Sequence, residues 1–132
     1  MNTKECIDII NAIIKKMNCT GFLFVVNSDP VFVVNSDLVY GNYICFKMIL
    51  KENYLYEKRH YREYAAWETI DDMFFNFADI YSFIELDKKN IEDNMWGYDV
   101  INENGFKFLE ILSKCSSIKE FMMKMQLMGL LI

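Results

Sequence analysis

Hydrophobic positions in the first fifty residues change from a helical period to a strand-like one. Over residues 3–17 the apolar side chains fall on one helical face, at Cys6, Ile10, Ile13, Ile14 and Met17. Thr3 can cap this predicted helix, and Asn18 is expected to end it. Short β-branched and aromatic runs at 21–26, 31–34 and 43–50 then predict strands. Because their connections are short, we expect them to pair antiparallel as a β-meander.

A six-residue motif occurs twice within the predicted meander. Phe-Val-Val-Asn-Ser-Asp spans residues 24–29 and recurs at 32–37. The offset is too short for a solenoid repeat, whose period is roughly 20 residues or more. We interpret the motif as a local duplication of a strand-and-turn unit.

Residues 53–67 fit two periods. The side chains of Tyr54, Tyr56, Lys58 and His60 alternate as in a strand. A second set, Tyr54, Tyr61, Tyr64 and Trp67, also approximates a helical stripe. We expect a fourth strand near 53–60 and then entry into a helix, and both assignments stay open for the segment as a whole.

The clearest helix is predicted over residues 69–85. One wide face is apolar, with side chains at three- and four-residue spacing: Ile70, Met73, Phe74, Phe77, Ala78, Tyr81 and Ile84. The other face is polar and mostly acidic: Asp71, Asp72, Asn76, Asp79 and Ser82. Phe75 and Phe83 break the pattern because they project from the acidic side. Either this helix is covered on both sides, or these two rings lie on the surface.

Two further helices follow a loop-like stretch at 86–104. Apolar residues at 106, 109, 112 and 115 line the first, and Ser117-Ile118-Lys119-Glu120 forms a capping box that opens the second. Strands therefore concentrate in the first half of the chain and helices in the second. The sequence predicts a single α+β domain over residues 1–132: an N-terminal helix, an antiparallel β-meander of three or four strands, and about three helices packed on one face.

The composition narrows the class of protein. The chain of 132 residues is 53% hydrophobic and has one Pro and five Gly, which is typical of a folded domain and not of a disordered or low-complexity chain. Fourteen Lys and Arg against 19 Asp and Glu give a net charge of −5. Such a charge repels phosphate and argues against a general nucleic-acid binder. The abundance of Lys, Ile, Asn, Phe and Tyr is typical of AT-rich genomes, including those of many phages.

No catalytic or metal-binding signature stands out. The four cysteines are far apart in sequence, and His60 has no Cys or His near it, so we expect no metal site, no cofactor and no enzyme. Cys45 with His60 is a weak nucleophile-and-base alternative, since no third group orients the pair. Glu68, Asp72 and Asp79 could share a hard cation, but acids on an amphipathic helix are usually a solvated face.

The chain shows no targeting or membrane signal. The N-terminal segment lacks an uninterrupted apolar run, and no run approaches the roughly 20 apolar residues of a membrane span. We therefore expect a cytoplasmic protein with free thiols and no membrane partner, in the host cytoplasm if the gene belongs to a phage.

The densest basic cluster consists of Lys58, Arg59, His60 and Arg62 and is interleaved with tyrosines. Such a stretch could hold a phosphate while an aromatic ring stacks on a base. Several glutamates flank it and dilute its field, and a charged edge strand has the same composition. Nucleotide or nucleic-acid binding through this patch is therefore the third-ranked function.

An excess of aromatic and methionine side chains favours protein binding, because these types anchor interfaces. We expect a non-enzymatic protein-binding module. Its sharpest form is a small phage or mobile-element inhibitor of the anti-CRISPR kind, which occludes a basic nucleic-acid-binding surface of a host effector. The alternative is a chaperone-like or homodimeric structural protein that uses the Met-rich C-terminal helix and the apolar tail. The predicted interface residues are Asp71, Asp72, Phe75, Asp79, Phe83, Glu85, Trp96 and Tyr98.

Overall fold

The computed structural model describes residues 1–27, 30–34, 37–40, 43–51 and 61–131, with the backbone alone for 30–34, 37–40 and 91. The main elements in chain order are α1 (Thr3–Lys16), β1 (Phe22–Asn27), β2 (Pro30–Val34), β3 (Asp37–Tyr40), β4 (Tyr43–Ile49), β5 (Tyr61–Trp67), α2 (Ile70–Asp87), α3 (Glu103–Ser113) and α4 (Ile118–Leu127). Short 3₁₀ segments at Lys88–Asp93 and Tyr98–Val100 connect α2 to α3. The α+β prediction, with a helix first, antiparallel strands next and three helices last, is confirmed.

The antiparallel strands form two sheets. The larger sheet has the order β1-β4-β5. Strands β2 and β3, which lie between β1 and β4 along the chain, pair with each other in a separate two-stranded sheet. The register places Phe22 opposite Met48 and Phe24 opposite Phe46. β1 therefore pairs with β4 across the intervening hairpin, and the expected meander, in which each strand pairs with the next, is wrong at this point. The strand residues of the two motif copies consequently lie in different sheets.

The segment 53–67, whose pattern fits both a strand and a helix, ends in a strand. Residues 61–67 form β5, which pairs with β4, so the expected entry into a helix at this point is wrong. Trp67 belongs to the sheet and its ring packs 6.0 Å from that of Phe77. The strand predicted near 53–60 lies outside the described residues.

One face of the larger sheet is covered by helices. Phe77 of α2 lies 5.6 Å from Phe46, and Phe108 of α3 lies 5.8 Å from Phe22, as measured between ring centroids. Buried side chains from all four helices and from β1, β4 and β5 belong to the same cluster. The packing of helices on one face is thus confirmed, and the extent of the domain over residues 1–132 stays a prediction.

The ends of α1 show how local sequence sets the helix bounds. Asn2, not Thr3, caps the helix, because its extended backbone lets its side chain accept a hydrogen bond of 2.8 Å from the Glu5 amide. Asn18 ends the helix as predicted, with a positive φ of 58°. The amides of Asn18 and Cys19 then bond to the carbonyls of Lys15 and Ile14, which forms a Schellman motif.

Candidate protein-binding surface

The helix α2 is fixed at its start and along its inner face. The Thr69 hydroxyl accepts a hydrogen bond of 3.0 Å from the Asp72 amide, and two aspartates in the first turn suit the positive end of the helix dipole. Met73, Phe74 and Phe77 are buried against the sheet and the other helices. The rest of the helix surface is therefore held in a defined orientation towards solvent.

The opposite side of α2 carries large apolar side chains in solvent. Phe75 is 90% exposed, Phe83 57% and Leu86 63%. At 3.6 residues per turn these three positions and the exposed acids Asp71, Asp72 and Asp79 lie within an arc of about 120°. The two phenylalanines are thus surface residues. The six residues Asp71, Asp72, Phe75, Asp79, Phe83 and Leu86 are called the α2 outer face below.

The net negative charge of the protein comes from this helix. Residues 70–87 contain five Asp and Glu and no Lys or Arg, while the rest of the chain has 14 of each sign. The net charge of −5 therefore equals the charge of α2 alone. Among the described residues, no ion pair involves Asp71, Asp72 or Asp79, and the salt bridges lie on other surfaces.

Glu85 does not belong to the α2 outer face. Its carboxylate lies 2.8 Å from Nζ of Lys88, and that ammonium group also sits 4.5 Å from the centre of the Phe106 ring. The hydrogen bond from Lys88 is the main reason that the pKa of Glu85 lies below its ordinary value. The Lys88 ammonium thus neutralises this acid locally and links the end of α2 to α3.

The sequence predicts that Tyr98 and Trp96 lie on the surface. This prediction is wrong for Tyr98, whose side chain is only 1% exposed. The stretch that contains them joins the sheet. The Lys51 amide bonds to the Met95 carbonyl and the Gly97 amide to the Ile49 carbonyl, each at 2.7 Å. This pairing turns Tyr98 inwards and leaves Trp96 half-buried.

A bulge in β5 completes the surroundings of Tyr98. The register of β4 and β5 shifts between Phe46 and Lys47, which directs Tyr64 to the side of the helices. The hydroxyls of Tyr64 and Tyr98 are 3.2 Å apart, and Tyr98 donates to Asp87 at 3.3 Å. Burial raises the pKa of Tyr98 above its ordinary value. These part-buried contacts join β5 to the end of α2.

The structure describes only one residue of the basic cluster formed by Lys58, Arg59, His60 and Arg62. Lys58, Arg59 and His60 lie outside the described residues, and Arg62 is an exposed residue of β5. Binding of nucleotides or nucleic acid through this patch stays a prediction.

Cys45 offers no nucleophile at neutral pH. The thiol is buried and donates to Oε1 of Glu63 at 3.3 Å. Burial, with the contact to Glu63, raises its pKa to about 12, so the thiolate that would react is scarce. All four cysteines are free, and Cys19 alone is not fully buried.

Within the described part of the chain, no group of three or more His, Cys, Asp or Glu side chains is placed to hold a metal ion. Asn76, which lies beside the helical acids in sequence, accepts a hydrogen bond of 2.9 Å from the Trp67 indole instead.

Among the described residues, no helix combines the length and the apolar composition that a membrane span needs. Comparisons with protein-family models, curated proteins and solved structures find no match.

Proposed function

We propose that this protein is a non-enzymatic binding module whose α2 outer face docks on a basic surface of another protein. The observation that carries the proposal is that two exposed phenylalanines, Phe75 and Phe83, flank Asp79 on the helix that bears the whole net charge. Aromatic rings supply contact area, and the acids select the sign of charge on the partner.

The energetics of this face suit association. A phenylalanine buries roughly 150–250 Å² when it is covered, and apolar area contributes about 25 cal/mol per Å². Covering Phe75, Phe83 and Leu86 would thus contribute several kcal/mol before the entropic cost of association. The acids would add attraction and faster encounter with a basic partner, and both effects weaken with salt.

A basic partner surface also suggests a mechanism. Protein surfaces that bind nucleic acid are dense in Lys and Arg, and an acidic helix placed on such a surface excludes the phosphates that would otherwise occupy it. The module would then act by occlusion, as an inhibitor of the anti-CRISPR or anti-defence kind in the cytoplasm of a phage host. The small size and AT-rich residue usage support this finer form of the proposal.

The test uses matched pairs of variants. Phe75→Ser and Asp79→Lys alter the face. Leu127→Ser removes a similarly exposed apolar side chain on α4, where Leu127 is 88% exposed, and Asp8→Lys reverses a charge on α1. Tagged proteins are used to capture partners from a lysate of the host cells, and duplex DNA is then added to the captured complex.

We expect a captured protein that is lost with Phe75→Ser and with Asp79→Lys, is retained with both control variants, and is released by duplex DNA. Partners retained equally by the face variants and the controls would overturn the proposal. Retention of a face-dependent partner in the presence of DNA would overturn occlusion only.

A second candidate rests on α4. Leu127, Met123 and Met128 are exposed there, which favours the homodimeric or chaperone-like alternative. The apolar tail is less available than the sequence suggests, because Gly129 turns the chain and Leu130 and Leu131 pack against the core. Analytical ultracentrifugation separates the two candidates. A dimer that Leu127→Asp dissociates and Phe75→Asp does not would support the α4 interface, and a monomeric wild type would remove it.

A further inference from the structure

Resting on the proposed function, we propose that the α2 outer face recognises an arginine side chain of its partner, held at Asp79 between the rings of Phe75 and Phe83. This inference names the chemical group that the face selects. It concerns arginine specifically, and not positive charge in general.

The spacing on the helix supplies the geometry. Residues 75, 79 and 83 follow one another at intervals of four, which places successive Cβ atoms about 5–6 Å apart on neighbouring turns. The two phenylalanines are therefore about 12 Å apart along the axis, with the carboxylate near the middle. A cation is attracted to an aromatic ring within about 6 Å of its centroid. A guanidinium group bound to Asp79 therefore lies within reach of the Phe75 ring on one side or of the Phe83 ring on the other.

Arginine fits this arrangement better than lysine. Its planar guanidinium donates two parallel hydrogen bonds to a carboxylate, stacks on aromatic faces and is weakly hydrated. The lysine ammonium is compact and strongly hydrated, so it loses more when rings replace its water. The two aromatic neighbours of Asp79 therefore favour arginine.

The protein already contains one cation held by a carboxylate and a ring. Nζ of Lys88 is 2.8 Å from Glu85 and 4.5 Å from the Phe106 ring centre. Lys88 pairs with Glu85, which lies on another side of the helix from Asp79. Among the described residues, no basic side chain lies within ion-pair distance of Asp79. The position at Asp79 is therefore open to a cation from outside.

The experiment uses two synthetic amphipathic peptides with the same sequence except that every arginine of one is lysine in the other. Both are fluorescently labelled and titrated with the protein at physiological ionic strength, and binding is followed by anisotropy. The variants are Asp79→Asn, Asp79→Lys and the double variant Phe75→Leu/Phe83→Leu, which keeps apolar area but removes the rings. Asp8→Asn is the control, and the unfolding midpoint of each variant verifies its fold.

We expect the arginine peptide to bind wild type and Asp8→Asn about tenfold more tightly than the lysine peptide, a difference of about 1.4 kcal/mol. Asp79→Asn and the double leucine variant should abolish this preference. Equal affinities for the two peptides, both weakened by Asp79→Lys, would overturn the arginine inference and leave the proposed function standing. If neither peptide binds, or if binding survives Asp79→Lys and the leucine changes, both proposals are overturned.

Discussion

Phe74 and Phe75 are adjacent in α2 and have opposite environments. Phe74 is 3% exposed and its ring centroid lies 6.3 Å from that of Phe121, whereas Phe75 is 90% exposed. The register of one helix thus assigns one ring to the core and the next to the α2 outer face.

The first prediction follows from this contrast. Phe74→Ala should lower the free energy of unfolding by about 3–5 kcal/mol, because it removes a buried ring and leaves a cavity. Phe75→Ala should change it by no more than about 0.5 kcal/mol, as is usual for exposed positions. Guanidinium unfolding followed by tryptophan fluorescence measures both. Equal losses would contradict the exposed position of Phe75.

A second prediction concerns Asn102, which joins the end of α1 to the start of α3. Its Oδ1 accepts from the Gly105 amide at 2.7 Å and from the Thr20 amide at 3.3 Å, and its Nδ2 donates to the Asn18 carbonyl at 2.7 Å. Asn102→Ala should lower the free energy of unfolding by about 2–3 kcal/mol. The lost cap alone lowers it by about 1 kcal/mol, and polar groups left without a hydrogen-bond partner lower it further.

Ser117→Ala is the control for this prediction. Ser117 caps α4 through one hydrogen bond of 3.1 Å from the Glu120 amide, so its loss should cost about 1 kcal/mol. Chemical unfolding of the two variants under the same conditions gives the comparison. If Asn102→Ala costs no more than Ser117→Ala, the long-range bonds of Asn102 contribute nothing to stability.

A third prediction compares two glycines with positive φ. Gly21 has φ of 92°, and a Cβ there would lie 2.8 Å from Cγ1 and 3.0 Å from N of Ile101. Gly129 has φ of 72° with nothing within 4 Å of such a Cβ. Gly129→Ala should therefore cost about 1 kcal/mol from backbone strain alone. Gly21→Ala should cost clearly more, because the Ile101 backbone must move.

Thermal unfolding of the two glycine variants checks this order. Similar melting temperatures for Gly21→Ala and Gly129→Ala would show that the segment around Ile101 moves away at little cost.

The parts of the fold that depend on local pattern could be predicted from the sequence. The period over 69–85 gives the inner face of α2, and Asn18 ends α1 because asparagine tolerates a positive φ. The concentration of charge on α2 is also visible in the sequence. The exposure of Phe75 and Phe83 is not, since a helix covered on both sides would show the same pattern.

The remaining features depend on contacts between distant residues. Tyr98 is buried because its segment pairs with the end of β4, as in the bridge between Leu50 and Trp96. The bulge that directs Tyr64 towards Tyr98 has no local signal. Asparagine is a common helix cap, but nothing near Asn102 in sequence indicates its bond to the Asn18 carbonyl. These features follow from contacts between residues far apart in sequence, and the hydrophobic period alone does not predict such contacts.

The last prediction concerns the alkaline limit of stability. Burial raises the pKa of the Cys45 thiol from 9.0 to about 12. The folded chain therefore keeps this proton at pH values where the unfolded chain has released it, so the free energy of unfolding should fall as pH rises from about 9 towards 12. Unfolding measured at several pH values should show this fall in wild type and a shallower fall in Cys45→Ala. Raised pKa values at the other three thiols and at Tyr64, Tyr81 and Tyr98 account for the fall that remains. Identical slopes in the two proteins, or rapid labelling of Cys45 by a thiol reagent in the folded protein near neutral pH, would contradict a buried, protonated thiol that donates to Glu63.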